Sequence, residues 1–201
     1  LSQALVKDKQ LENLYILPAS QTRDKDALTD EGVAEVMAEL SKQFDYIICD
    51  SPAGIERGAQ LAMYHADEAI IVTNPEISSV RDSDRIIGIL QSRTKKIEEN
   101  QGSVREHLVI SRYNAERAAA NEMMDIDTIS NDILKVPLLG VIPESHSVLE
   151  ASNHGEPVIH YTDSVAGQCY DDIVARFLGE ERPLRHIDVK KKSLLQRWFG
   201  G

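Results

Sequence analysis

Cysteine, long apolar runs and a glycine-rich phosphate loop are scarce or missing in this 201-residue chain. Two cysteines, Cys49 and Cys169, cannot make a disulfide framework, so the fold must rest on packing, and a reducing cytosol suits it. The longest apolar runs, such as Tyr46-Ile47-Ile48-Cys49, fall far short of the ~20 residues of a spanning helix, which excludes a transmembrane helix. No basic-then-apolar stretch opens the chain as a secretory signal would. Neither a Gly-x-x-x-x-Gly-Lys-Ser/Thr nor a Gly-x-Gly-x-x-Gly pattern occurs, and no glycine precedes a lysine, so these residues hold no phosphate cradle. The chain opens on Leu1, inside an amphipathic-looking segment, and we expect it to begin within something longer.

What is present fits a globular protein with a real core: 42% hydrophobic and 27% charged residues. The net charge of −11 argues against a nucleic-acid-binding surface over most of the protein. The charge is uneven. Residues 190–201 carry Lys190, Lys191, Lys192 and Arg197 and no acid, whereas the preceding residues set 18 basic side chains against 33 acidic ones.

Short β-branched runs at Leu14–Leu17, Tyr46–Cys49, Ala69–Thr73, Leu108–Ser111 and Leu138–Ile142 mostly lack alternation, which predicts strands buried on both faces of a parallel sheet. Helical patterns lie between them. One runs from Leu28 to Leu40, one opens at a Ser79-x-x-Asp82 capping box, and one covers roughly Met123 to Leu134. A short helix around Val148–Ala151 stops at Gly155, and a last one, stepping through Val165, Cys169, Ile173 and Phe177, ends at Gly179. The alternation predicts an α/β, doubly wound, mainly parallel sheet with helices on both faces over residues 1–180, a linker at 181–189 and an amphipathic tail at 190–201. Ligands of such folds bind beyond the carboxyl ends of the strands. The loops to watch are Pro18-Ala19-Ser20, Asp50–Gly54, Asn74-Pro75-Glu76, Arg112-Tyr113-Asn114 and Pro143-Glu144-Ser145, expected to converge on one edge.

Asp50 closes an apolar run. An acid there can hold Mg²⁺ through a water, as a Walker B residue does, or it can simply cap the next turn. Ser51 lacks a nucleophile elbow. His65, His107, His146, His154, His160 and His186 lack metal-ligand spacing, and Cys49 reads as a small core residue. In the tail, Leu194, Leu195, Trp198 and Phe199 share one helical face, with Lys190 and Arg197 opposite and Lys191 and Lys192 able to snorkel. The pattern reads as an interfacial membrane helix, against the alternative of a terminal helix docked on its own body. Each large side chain contributes ~1.5–3 kcal/mol if buried and each basic residue ~1 near anionic lipid. Ordering the segment costs ~1 kcal/mol or more per residue. The terms nearly cancel, so one tail binds weakly and two tethered tails bind far better.

Several blocks resemble the MinD family of septum-site-determining ATPases, a branch of the deviant-Walker-A ParA/MinD P-loop proteins. They are NLYILPASQTRDKD at 13–26, Asp50–Glu56, DEAIIVTNPEISSVRDSDR at 67–85, Arg112–Asn114, GVIPE at 140–144 and the Lys/Trp-Phe tail. The tail sets the chain apart from ParA-type partition ATPases. The resemblance implies an ATPase that dimerises around Mg²⁺-ATP, binds the anionic inner-membrane surface from the cytoplasm through its tail, recruits a MinC-type division inhibitor and is released by a MinE-type activator. It implies that Asp50 is the Walker B acid and metal-side catalytic residue, that Asn114, Pro143 and Glu144 form the adenine-side loops, and that Ser79, Asp82 and Asp84 lie where partners dock. The family's N-terminal segment of roughly 70 residues, about two strand–helix units with the Walker A loop, is missing. We therefore expect the chain alone to be inactive and poorly stable, with the strand ending at Asp50 deprived of a neighbour. A nucleotide-free membrane-tethered scaffold, or a flagellar-placement or partition relative, is the alternative.

Overall fold

The computed structural model describes residue 1 and residues 3–18, 28–52, 54–185 and 187. The chain forms two compact units, one of Leu1–Asp67 with Ile89–Ser103, the other of Glu68–Gly88 with the chain from Val104 onward.

The second unit carries the sheet. Strands β3 (Glu68–Thr73), β4 (Arg105–Tyr113) and β5 (Leu138–Pro143) are parallel, in the order β3-β4-β5. All three lie where the apolar runs predict them. β4 has a partner on both edges, and Leu108, Val109 and Ile110 are buried. Helix α7 (Val165–Phe177) covers β5 and β4, packing Ala166, Cys169 and Ile173 against Val109, Leu139 and Ile142. Gly140 permits this approach, because a Cβ there would sit 2.3 Å from Cγ1 of Ile173. Helix α6 (His146–His154) ends as expected at Gly155 in a left-handed conformation (φ 69°).

Helix α3 (Ile77–Leu90) begins two residues before the predicted capping box, so Ser79 lies inside it and its carbonyl accepts from Ser83 Oγ at 2.9 Å. Val80, Ser83 and Ile87 form its buried face. The helix expected over Met123–Leu134 is shorter, a π-helical turn at Thr128–Ile133 closed by Leu134 N–H donating to the Ile129 carbonyl.

The first unit departs further from expectation. Leu14–Leu17 yields only β2 (Tyr15–Ile16), which pairs antiparallel with β1 (Val6–Lys7) rather than joining a parallel sheet. Helix α1 (Asp30–Leu40) is capped by Thr29, whose Oγ1 accepts from Gly32 N–H at 3.1 Å. Helix α2 (Arg57–Tyr64), which periodicity does not reveal, is tied to α1 by Arg57 Nη2, which donates to the Leu28 carbonyl at 3.2 Å and meets Asp30 at 3.5 Å. Tyr64 donates to Glu98 at 2.6 Å, joining α2 to α4 (Lys95–Glu98).

The predicted strand Tyr46–Cys49 does not form. Among the described residues no strand pairs with it; Ile48 is 91% and Tyr46 67% exposed, and Cys49, expected in the core, is exposed too. An apolar run becomes a strand only when its N–H and C=O groups find a ladder. β3, expected to be buried on both faces, is covered on one: Ile71 and Thr73 are buried, while Ile70 and Val72 are 47% and 62% exposed.

Replacing Gly140 by Ala is expected to destabilise the fold by ~1–3 kcal/mol through overpacking against Ile173. Urea denaturation checks this, and an unshifted midpoint would show that α7 does not need the close approach.

Candidate nucleotide-side edge

The carboxyl ends of β3, β4 and β5 each run into a polar loop, and backbone bonds hold these loops together. Glu144 N–H donates to the Tyr113 carbonyl at 3.0 Å, fixing the end of β5 to the end of β4. Met124 N–H donates to the Pro75 carbonyl at 3.3 Å, fixing the chain after α5 (Ala115–Ala119) to the loop after β3.

The end of β4 is irregular. Arg112 has φ +57°, and the register with β5 shifts between Ile110 and Tyr113. A left-handed arginine at a strand end is uncommon and re-aims the chain beyond it. Here it delivers Asn114 to the N-cap of α5. Asn114 Oδ1 accepts from the N–H groups of Glu116 and Arg117, both at 3.1 Å, and its own N–H points to Met123 Sδ at 3.4 Å. With the side-chain oxygen engaged by the cap, the amide NH₂ is the group that can donate to a ligand. Asp125, just beyond Met123 and Met124, accepts from Thr128 Oγ1 (2.6 Å) and N–H (3.0 Å), which hold its carboxyl below the ordinary aspartate range.

Of the predicted site residues, Asn114, Pro143 and Glu144 lie on this one edge, Pro143 half-buried as the last residue of β5 and Glu144 exposed. Ser145 caps α6 beside them, its Oγ 2.6 Å from Ser147 Oγ. On α3, Asp82 and Asp84 are exposed, Ser79 is half-buried and Arg85 lies 3.8 Å from Asp82. Asp50 belongs to the first unit, in an exposed stretch without regular structure. Lys190, Lys191, Lys192, Leu194, Leu195, Arg197, Trp198 and Phe199 lie outside the described residues, as do residues 19–27, which take in most of the first resembling block. Sequence reasoning placed Arg112 in a loop to watch but did not anticipate its positive φ, nor the tie between Glu144 N–H and Tyr113. A cleft of about 690 Å³ lies at the other end of the strands, lined by His107, Pro137 and Leu139 from the sheet and by residues 179–183.

The edge suits the base of a nucleotide: a directed amide donor on a braced backbone. The phosphate half does not fit. No glycine-lysine cradle exists in the sequence, and no group of three His, Cys, Asp or Glu among the described residues could hold a metal. Mg²⁺ binds characteristically through one or two carboxylates and the phosphates themselves, and Asp50 alone supplies one.

Comparison with known proteins identifies the family. Residues 3–158 match the CobQ/CobB/MinD/ParA nucleotide binding domain family. The septum site-determining protein MinD of Neisseria meningitidis is 63% identical over 204 residues, covering 100% of this chain and 74% of the relative. The structure is similar to that of the MinC:MinD cell division protein complex of Aquifex aeolicus (TM-score 0.77, 36% identity, 92% of this chain and 71% of that one). It is also similar to MinD complexed with Mg-ADP from Pyrococcus horikoshii (TM-score 0.69, 28% identity, 89% and 70%).

Asn114→Ala is expected to lower stability by ~1 kcal/mol through loss of the cap, whereas Asn114→Asp, which keeps the capping oxygen, changes it by a few tenths at most. Thermal unfolding of the two variants checks this; equal losses would show that Oδ1 is not the stabilising contact.

Proposed function

Because the chain belongs to the MinD family of septum site-determining proteins, we propose that it supplies the base-side edge, partner helix and membrane tail of an ATPase that places the bacterial division site. The observation that carries this reading is the identity over the whole chain, which extends through the tail. The edge described above adds a physical reason: the capping bonds engage Asn114 Oδ1 and leave its amide NH₂ as the group that can donate to a purine nitrogen, and the bond from Glu144 to Tyr113 keeps the two loops in place.

In this reading the bound nucleotide is ATP with Mg²⁺, and when bound it supplies the phosphoanhydride that is cleaved. Asp50 would be the carboxylate that holds the metal, which would neutralise the phosphate charge. No step can be drawn for these residues alone, because the phosphate cradle is not among them. The nucleotide favours a homodimer, and two tails then engage the anionic inner membrane from the cytoplasmic side where one would fall short. The exposed face of α3, with Asp82 and Asp84, is the docking side for a MinC-type inhibitor and a MinE-type activator. The Aquifex relative, solved as a MinC:MinD cell division protein complex, supports the first of these partners.

The test is co-sedimentation with phosphatidylglycerol vesicles, with and without ATP. It compares the 201-residue chain with the same chain joined to the preceding segment of the Neisseria relative. We expect the joined protein to bind at least tenfold better with ATP than without, and the 201-residue chain to show neither ATP dependence nor turnover. Equal, ATP-independent binding by both would replace this reading with that of a constitutively tethered scaffold.

A further inference from the structure

Beyond the last helix the chain does not run free. Gly179 (φ +94°) reverses it, and Glu180 N–H donates back to the Ala175 carbonyl at 2.9 Å, so the residues after α7 return along it. There they meet Asp172, a carboxylate on α7 that is only 1% exposed. Arg185 Nε lies 2.8 Å from Asp172 Oδ2 and its Nη2 donates to Oδ1 at 3.2 Å. Arg182 Nη1 reaches Asp172 Oδ1 at 3.3 Å and Asp171 Oδ2 at 2.6 Å, and its Nη2 donates to Glu180 Oε2 at 3.0 Å. These bonds from Asp171, Glu180 and Asp172 hold Arg182 firmly ionised.

A buried carboxylate is costly unless paired, and both of its partners come from the segment that leads to the tail. We propose that Asp172, with Arg182 and Arg185, is a clamp that holds the segment leading to the membrane tail against α7 as far as Arg185. Asp172 is a positioning residue here, and the functional consequence rests on the membrane role proposed above. Leu194 is nine residues beyond Arg185 but sixteen beyond Leu178, where α7 ends. A shorter link between body and tail favours capture of a second tail, so releasing the clamp is expected to lower ATP-dependent vesicle binding.

The first readout is trypsin cleavage after Arg185, since the Arg182–Pro183 bond resists the enzyme. The second is the fluorescence of Trp198, the single tryptophan, which sits in the tail. Asp172→Leu removes the charge and fills a similar volume, and Arg182 and Arg185, both partly exposed, can turn to water. We expect at least fivefold faster cleavage after Arg185 and lower Trp198 anisotropy, with cleavage after Arg117 on α5 unchanged. If Asp172→Leu fails to fold, Arg182→Gln, which leaves Arg185 on Asp172, is expected to give a smaller increase of about twofold. Unchanged cleavage after Arg185 in a folded variant would overturn the clamp. A failure of Trp198 in the unaltered chain to shift to the blue with saturating phosphatidylglycerol vesicles would overturn its membrane role alone, because the trypsin readout needs no lipid.

Discussion

A parallel strand is only as stable as the neighbours on its two edges, and this chain shows both outcomes. β4 has β3 on one side and β5 on the other, and its central residues Leu108, Val109 and Ile110 are buried. The candidate edge depends on that pairing. The ends of β4 and β5 are fixed by the bond from Glu144 N–H to the Tyr113 carbonyl, and the irregularity at Arg112 carries Asn114 to the cap of α5. The stretch before Asp50 is as apolar as β4 but has no ladder among the described residues, and it remains irregular with Ile48 exposed.

The same constraint divides the site chemically. The base-side loops are braced by contacts within one unit, so they are built from residues that this chain contains. Asp50 is held by nothing comparable among the described residues, and a lone exposed carboxylate neither binds Mg²⁺ tightly nor orders a phosphate. In the function proposed above, these residues contribute the base side of a nucleotide site. The acidic body and basic tail divide in a parallel way: the body carries the net negative charge, while the positive cluster is confined to the last twelve residues.

Legibility in the sequence tracks how local the cause is. β3, β4, β5, α1, α6 and α7 are readable, because apolar periodicity and Gly155 and Gly179 as stops act within a few residues. The Tyr46–Cys49 run misleads because the partner that decides its conformation is not encoded in the run itself. Exposure of Val72 is hidden for the same reason, since its identity fits a buried strand equally well. The loop holding Asn114 stands out as one that ends a strand, and the resemblance singles out Asn114 within it, whereas the left-handed conformation of Arg112 has no signature at all. The pairing of Asp172 with Arg182 and Arg185 spans ten and thirteen residues across a chain reversal, a separation that no helical or strand period brings together.

The central proposal is that the edge at Asn114 takes the base of a nucleotide, whose phosphates need a cradle that these 201 residues do not show. Titration with a fluorescent ATP analogue tests it most directly, on the 201-residue chain, on the chain joined to its relative's preceding segment, and on that joined protein carrying Asn114→Asp. The account predicts saturable binding by the joined protein, a loss of about tenfold for Asn114→Asp at unchanged stability, consistent with ~1.5 kcal/mol for one hydrogen-bond donor, and no saturation by the 201-residue chain. Tight binding by the 201-residue chain, or an unaffected Asn114→Asp variant, would contradict it.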